Sequence, residues 1–218
     1  MKAIFSIVLF LALGGALAAE KHSQAEVLLF ETNHLQQIKE PEVLFYSYKK
    51  KGSLETGFED QVKINIDRVK PDGFKAVSSE YLTGDNHQKF APLEQAAGNP
   101  VLLFFLERDI HEMQRLTKGH WRYFQKRIRT ALADEAEVRP LKFLYNGKEA
   151  SGHEIKITPY VSAPEKARYE KFANKLYVFA LSDSVPGGVY QIRTVVSAAA
   201  DAEPLMEETL TFAREQKK

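Results

Sequence analysis

The chain has 218 residues, with 30 Lys and Arg against 29 Asp and Glu and no cysteine. A net charge of +1 argues against nonspecific nucleic-acid binding, which draws on a basic surplus. The lack of cysteine excludes disulfides, thiol nucleophiles, Cys-based metal sites and a lipid-modified cysteine.

Lys2 gives the chain a positive start, and no charge follows from Ala3 to Ala19. "AIFSIVLFLAL" is an apolar stretch, and Ala16-Leu17-Ala18 suits signal peptidase. We expect residues 1–19 to be a cleaved secretory signal, because the run is short for a ~20-residue membrane span. Export of a cysteine-free chain points to the periplasm. Removing the leader removes one base, Lys2, and leaves 29 residues of each sign. Residues 20–218 are then expected to form a single α+β domain, long enough to bury a core without covalent staples. No later run reaches ~18 apolar residues, so no stable transmembrane segment is expected after cleavage.

Strands come first. Leu44, Tyr46 and Tyr48 alternate with Phe45 and Ser47, and Val62, Ile64 and Ile66 alternate with Lys63, Asn65 and Asp67. That period of two marks half-buried strands. "KPDG" at Lys70–Gly73 is a turn, and "FKAVSSEYL" returns from it. The middle of the chain is helical. Asn99 caps and Pro100 fits the first turn of a helix running to Thr117. Lys118-Gly119 stops it, with Gly suited to a left-handed cap. A second helix is predicted from about His120 to Ala136. Strands then resume: Leu141, Phe143 and Tyr145 lead into Asn146-Gly147, a hairpin turn, and the return strand carries Ile155 and Ile157. "SAPEKARYEKFAN" reads as a short surface helix. "KLYVFAL" is apolar on both faces, the mark of a covered strand. Pro186-Gly187 turns it back into "VYQIRTVV", and "EETLTFA" is the last strand. Strands, a helical hairpin and strands again predict an α+β fold, a curved antiparallel sheet with a central two-helix hairpin on one face, with a β-sandwich carrying an inserted helical hairpin as the alternative.

At 100° per residue, Leu102, Phe105, Leu106, Ile110, Met113 and Leu116 share one arc of the first helix, with Leu103 at its edge. This apolar face should meet the sheet. Two residues break the pattern: Phe104 lies on the polar side, and Asp109 lies inside the apolar arc. A buried, unpaired carboxylate costs several kcal/mol, so Asp109 needs a partner. Trp121, Phe124, Ile128 and Leu132 make the stripe of the second helix, and Arg127 lies on its flank. An antiparallel hairpin brings Arg127 toward Asp109, and its planar fork suits a carboxylate. We expect a structural ion pair fixing helix register; a ligand-binding or catalytic carboxylate is the competing reading.

No catalytic or metal-binding motif is complete. Glu107 and His111 share a face, and "HEMQR" begins like a zincin helix, but Arg115 stands where the second His is needed. No GxSxG or phosphate-binding glycine loop occurs, and Ser182-Asp183-Ser184 suits a turn. No catalytic residue, metal or cofactor is therefore assigned. The second helix sets Arg122, Lys126, Arg127 and Arg129 around Trp121, Tyr123 and Phe124. This pattern suits either a solvated basic face or an anionic lipid surface.

The order of elements resembles the LolA/LolB-like periplasmic lipoprotein-carrier superfamily, and "GNPVLLFFLERDIHEM", "YFQKRIRTAL" and "YVFALSDSVPGGVY" resemble an exported proteobacterial family. The carrier resemblance implies a curved sheet whose concave side is covered by helices around an apolar pocket. It transfers no functional residue. With the aromatic strands it predicts a non-enzymatic protein holding a lipid or another apolar molecule between sheet and helices, lined by Phe45, Tyr46, Tyr48, Phe105 and Trp121. The alternatives are a scaffold contacting an envelope protein, with Phe104 in the contact, and a hydrolase using Asp109, Glu107 or His111.

Overall fold

The computed structural model describes residues 22–164, 169, 171–197 and 203–218; the predicted leader lies outside them. A short helix α1 (Gln24–Glu26), capped by Ser23, widens into a π-helical turn over Val27–Glu31. Strands β1 (Glu42–Lys51), β2 (Phe58–Val69), β3 (Lys75–Tyr81) and β4 (Leu93–Ala96) follow. Helices α2 (Val101–Thr117) and α3 (Trp121–Thr130) come next, the latter extended by a wide turn over Ala131–Glu135. The chain ends with β5 (Glu137–Tyr145), β6 (Lys148–Ile157), β7 (Leu176–Leu181), β8 (Val189–Val196) and β9 (Met206–Lys217).

All nine strands form one antiparallel sheet in the order β4-β3-β2-β1-β9-β8-β7-β6-β5. It consists of two meanders joined where β9 pairs with β1. The chain between β4 and β5 must therefore travel from one sheet edge to the other, and α2 and α3 make that crossing over one face. This is the α+β architecture expected from the order of elements.

The sheet is strongly curved and does not close. Strands β5 and β8 stand three places apart, ~14 Å in a flat sheet. Yet Phe143 of β5 stacks on Tyr190 of β8 with ring centroids 4.1 Å apart, and Tyr145 comes within 6.2 Å of Phe212 on β9. Gly152 in β6 permits a close approach to the end of β7. A Cβ there would lie 2.0 Å from the Leu181 carbonyl oxygen, so only glycine lets the two strands cross this closely.

Leu44, Tyr46 and Tyr48 of β1, Val62, Ile64 and Ile66 of β2, Tyr177 and Phe179 of β7, and Leu210 of β9 are buried in one cluster with Leu102, Phe105, Met113, Phe124 and Ile128 of the helices. The Asn99 side chain accepts from Val101 N–H at 3.1 Å and so caps α2. The same amide donates to the Tyr46 hydroxyl and the Gly187 carbonyl, both at 2.8 Å. That ties the helix start to the sheet and to the β7–β8 turn. At the far end the left-handed residue is Lys118, φ 57°, rather than Gly119. The glycine is needed for space, since a Cβ would meet the Phe124 ring at 2.6 Å. Asn146 and Gly147 have φ of 51° and 74°, the positive pair of a type I′ hairpin turn. Of the segment read as a surface helix, residues 165–168 and 170 lie outside the described set, and Tyr169 and Phe172 are buried, so its described aromatics face inward.

Candidate functional site

Asp109 is fully buried, as its place in the apolar arc requires, but Arg127 is not its partner. Its Oδ1 pairs with Lys175 Nζ, and its Oδ2 accepts from the Tyr177 hydroxyl at 2.6 Å. The Tyr160 and Tyr177 hydroxyls lie 3.0 Å apart. Tyr177 spends its one proton on Asp109, so Tyr160 donates to Tyr177. The expected pair fails for a geometric reason: the buried face of α2 looks onto strands, while α3 lies beside it. Arg127 turns the other way. It donates to the Pro159 carbonyl at 2.8 Å and the Ser162 hydroxyl at 2.9 Å, and stands 3.8 Å from Glu135.

A second buried carboxylate, Glu208 of β9, lies under the same face of α2. Its Oε1 accepts from the Tyr48 hydroxyl at 2.8 Å and from Arg108 at 3.1 Å. The Arg108 guanidinium also sits 5.1 Å from the centroid of the Tyr48 ring. Burial alone would raise the pKa of Glu208, but Arg108, Lys175, the Tyr48 hydrogen bond and Lys50 outweigh it and hold the carboxyl below the usual range. Lys50 in turn pairs with Glu55 at 2.7 Å, and Glu55 with Arg115 at 2.8 Å, where the chain of alternating charge reaches solvent. Asp109 and Glu208 are both 0% exposed, so no solute meets either carboxylate unless α2 lifts from the sheet. The exposed Glu107–His111 pair is 3.0 Å apart. Among the described residues no group of three or more His, Asp or Glu is placed to hold a metal.

The residues assigned to an apolar pocket do not line one together. Tyr46, Tyr48 and Phe105 are each 1% exposed and packed into the core, leaving almost no surface for even a water-sized molecule. Phe45 points to the opposite face, as alternation from Tyr46 demands, and carries Arg214 3.9 Å from its ring centroid. Trp121 is half-buried at the start of α3, beside the His120 ring and Arg122. Phe104, offered as a contact residue for a protein partner, is 8% exposed; it is covered by Phe90, stacked at 4.2 Å.

The open apolar space lies elsewhere, within the helical layer. A groove of about 580 Å³ runs between α2, α3 and the N-terminal helical turn. Phe104, Leu106, Ile110, Ile128 and Leu132 form its apolar wall, with Leu103 and Phe30 at the mouth. Leu103 is 53% exposed and Phe30 40%. Glu26, Glu107, Gln125 and Arg129 form the rim. Its volume falls within the ~300–1,000 Å³ usual for small-molecule sites. The groove exists because the apolar surface of α2 wraps further than the sheet needs. Leu102, Phe105 and Met113 are spent on the sheet, while Leu103 and Ile110 face sideways. No helix among the described residues is long and apolar enough to cross a membrane.

Lys50, Arg108, Lys175 and Glu208 were missed as buried charges, although two of them left a signal. Met206, Glu208, Leu210 and Phe212 share one strand face by alternation, so Glu208 interrupts an apolar row as Asp109 does. Lys175 is two residues before Tyr177 and four before Phe179, on the face that packs inward.

No family model and no curated protein matches this chain. Among solved structures it is similar to the lipoprotein LppX of Mycobacterium tuberculosis, with 10% identity, a TM-score of 0.33, and 81% of this chain and 87% of that chain covered. It is also similar to LprF from Mycobacterium bovis, with 9% identity, a TM-score of 0.30, and 87% and 93% covered. A LolA superfamily protein from Nitrosomonas europaea is matched at 8% identity and a TM-score of 0.24 over 89% and 93%.

Proposed function

We propose that this protein holds an apolar molecule, an acyl chain, in the groove between α2, α3 and the N-terminal helical turn, and that it does so in the periplasm. The observation that carries this reading is the groove itself: about 580 Å³ walled by Phe104, Leu106, Ile110, Ile128 and Leu132, with Leu103 and Phe30 at its mouth partly exposed to water. Covering exposed apolar surface stabilises a complex by about 25 cal/mol per Å², and large side chains at the mouth of a concave apolar site mark a place for a ligand. The site lies in the helical layer rather than under it, which leaves the buried ion pairs undisturbed. The periplasmic setting rests on the leader-like residues 1–19 and on the absence of cysteine.

The test uses N-phenyl-1-naphthylamine, an uncharged apolar fluorophore, together with native mass spectrometry and organic extraction of protein purified from the cell envelope. Wild type is expected to bind the fluorophore saturably. Leu103→Asp, which places a charge at the mouth of the groove, should weaken binding about 10-fold or more with an unchanged urea midpoint. Wild type that binds no fluorophore and carries no extractable lipid would overturn the reading and leave the groove to a protein partner.

A further inference from the structure

Beside the apolar groove lies a second, polar depression of about 490 Å³, and the two share Glu26, Gln125 and Arg129 as lining. The second depression adds His22, Lys126, Thr130 and Asp134. Lys126 and Arg129 stand three residues apart on α3 and therefore side by side on one face. Most other charges at this end are engaged. Glu26 Oε2 accepts from Ser23 N–H at 2.9 Å in a capping box, His22 pairs with Glu31, and Glu107 pairs with His111. Lys126 and Arg129 form no ion pair among the described residues, and the one unengaged carboxylate beside them is Asp134. Among the described residues, two unpaired cations against one unpaired carboxylate thus stand beside the end of the apolar groove.

We infer that the ligand is an amphiphile with an oxyanion headgroup, its chain in the groove and its carboxylate or phosphate held by Arg129 and Lys126. This rests on the reading of the groove as an acyl-chain site and adds the chemistry of the other end. Arg129 lines both spaces and so stands where chain and headgroup join. Its planar fork offers paired donors to a carboxylate or phosphate, while Lys126 adds a mobile point charge. Gln125, on the lining of both spaces, supplies a neutral amide donor. The half-polar, half-apolar division would disfavour a fully apolar hydrocarbon, which leaves the cations unused.

The experiment displaces N-phenyl-1-naphthylamine from wild type with dodecanoic acid, dodecyl phosphate and 1-dodecanol, three ligands with one chain length and different heads. At least one of the two anions is expected to compete about 10-fold better than the alcohol, the effect of a charge-assisted hydrogen bond. In Lys126→Gln/Arg129→Gln that advantage should vanish while the alcohol competes as before. Equal competition by all three ligands would overturn the headgroup assignment and leave the groove standing. Failure of the fluorophore to bind at all would overturn the groove itself. Inorganic phosphate is expected to leave the advantage of the anions intact. If it abolished that advantage, the depression would be a site for free anions and the inference would fall.

Discussion

Removal of Lys175 tests the organisation of the buried layer most directly. Lys175 and Asp109 are both 0% exposed, so Lys175→Met strands a carboxylate whose one other partner is the Tyr177 hydroxyl at 2.6 Å. Breaking one member of a buried pair costs about 3–5 kcal/mol. The retained tyrosine bond puts this case at the lower end, about 3 kcal/mol. With a urea m-value of ~2 kcal/mol/M for a domain of this size, the midpoint should fall by about 1.5 M. The double variant Asp109→Leu/Lys175→Met removes both charges, and Tyr177 can turn its proton toward Tyr160. It should lie within about 1 kcal/mol of wild type, because apolar replacement of a whole buried pair is often neutral. The double-mutant cycle should then give a coupling of about 2 kcal/mol or more. Arg127→Met supplies the contrast. It should add to Asp109→Leu within about 0.5 kcal/mol, since Arg127 bonds Pro159 and Ser162 instead. A Lys175→Met midpoint within ~0.5 M of wild type, or coupling of Asp109 to Arg127 instead, would refute the assignment.

Acid should weaken the fold in two stages. Burial lowers the pKa of His34 from its ordinary 6.5, and that of Glu208 also lies below its ordinary 4.5. In both cases the unfolded chain takes up the proton first, so stability is lost as pH falls. The loss begins below pH 6.5 through His34 and continues below 4.5 through Glu208. Urea midpoints across this range should show the first stage disappear in His34→Gln; an unchanged profile would exclude His34 as its source. Gly152→Ala forces a Cβ to 2.0 Å from Leu181 O and should cost about 1–3 kcal/mol. Gly147→Ala, with nothing within 4 Å but φ at +74°, should cost only the ~1–2 kcal/mol of left-handed strain. Equal midpoints for Gly152→Ala and wild type would mean that the close crossing of β6 and β7 is not required.

The strands were legible because a half-buried strand writes its period into the chain. Leu44-Tyr46-Tyr48 and Val62-Ile64-Ile66 point inward as alternation demands. The start of α2 was legible because Asn99-Pro100 carries its own capping chemistry. Asp109 was recognisable as a charge needing a partner, since helical periodicity places it among apolar residues. Its partner was not, because the pairing spans 66 residues and depends on which strand lies beneath α2. Local reasoning reached for Arg127, the nearest cation on the adjoining helix. The groove was hidden for a related reason. Leu103 at the edge of the apolar arc and Phe104 on the polar side both signalled an apolar surface wider than one contact. Periodicity counts such residues without saying whether a sheet, a loop or open space faces them. Phe104 turned out to stack on Phe90 in the groove wall, and Leu103 to stand at the groove's mouth.

The two sides of α2 are held by different forces, and this bears on where the proposed ligand would enter. Toward the sheet the helix is fixed by Asp109–Lys175, Arg108–Glu208 and the capping amide of Asn99. Opening that side would separate two buried ion pairs and expose the apolar core packed around them. Toward α3 the helix makes apolar contacts, which are non-directional and re-form against any apolar surface of suitable shape. Under the proposed function, an acyl chain between α2 and α3 would replace one apolar neighbour with another and leave no polar group unpaired. The buried charges therefore need not be part of the proposed ligand site to support it. By pinning α2 to the sheet they fix the helix that carries Leu103 and Ile110 on the lining of the groove.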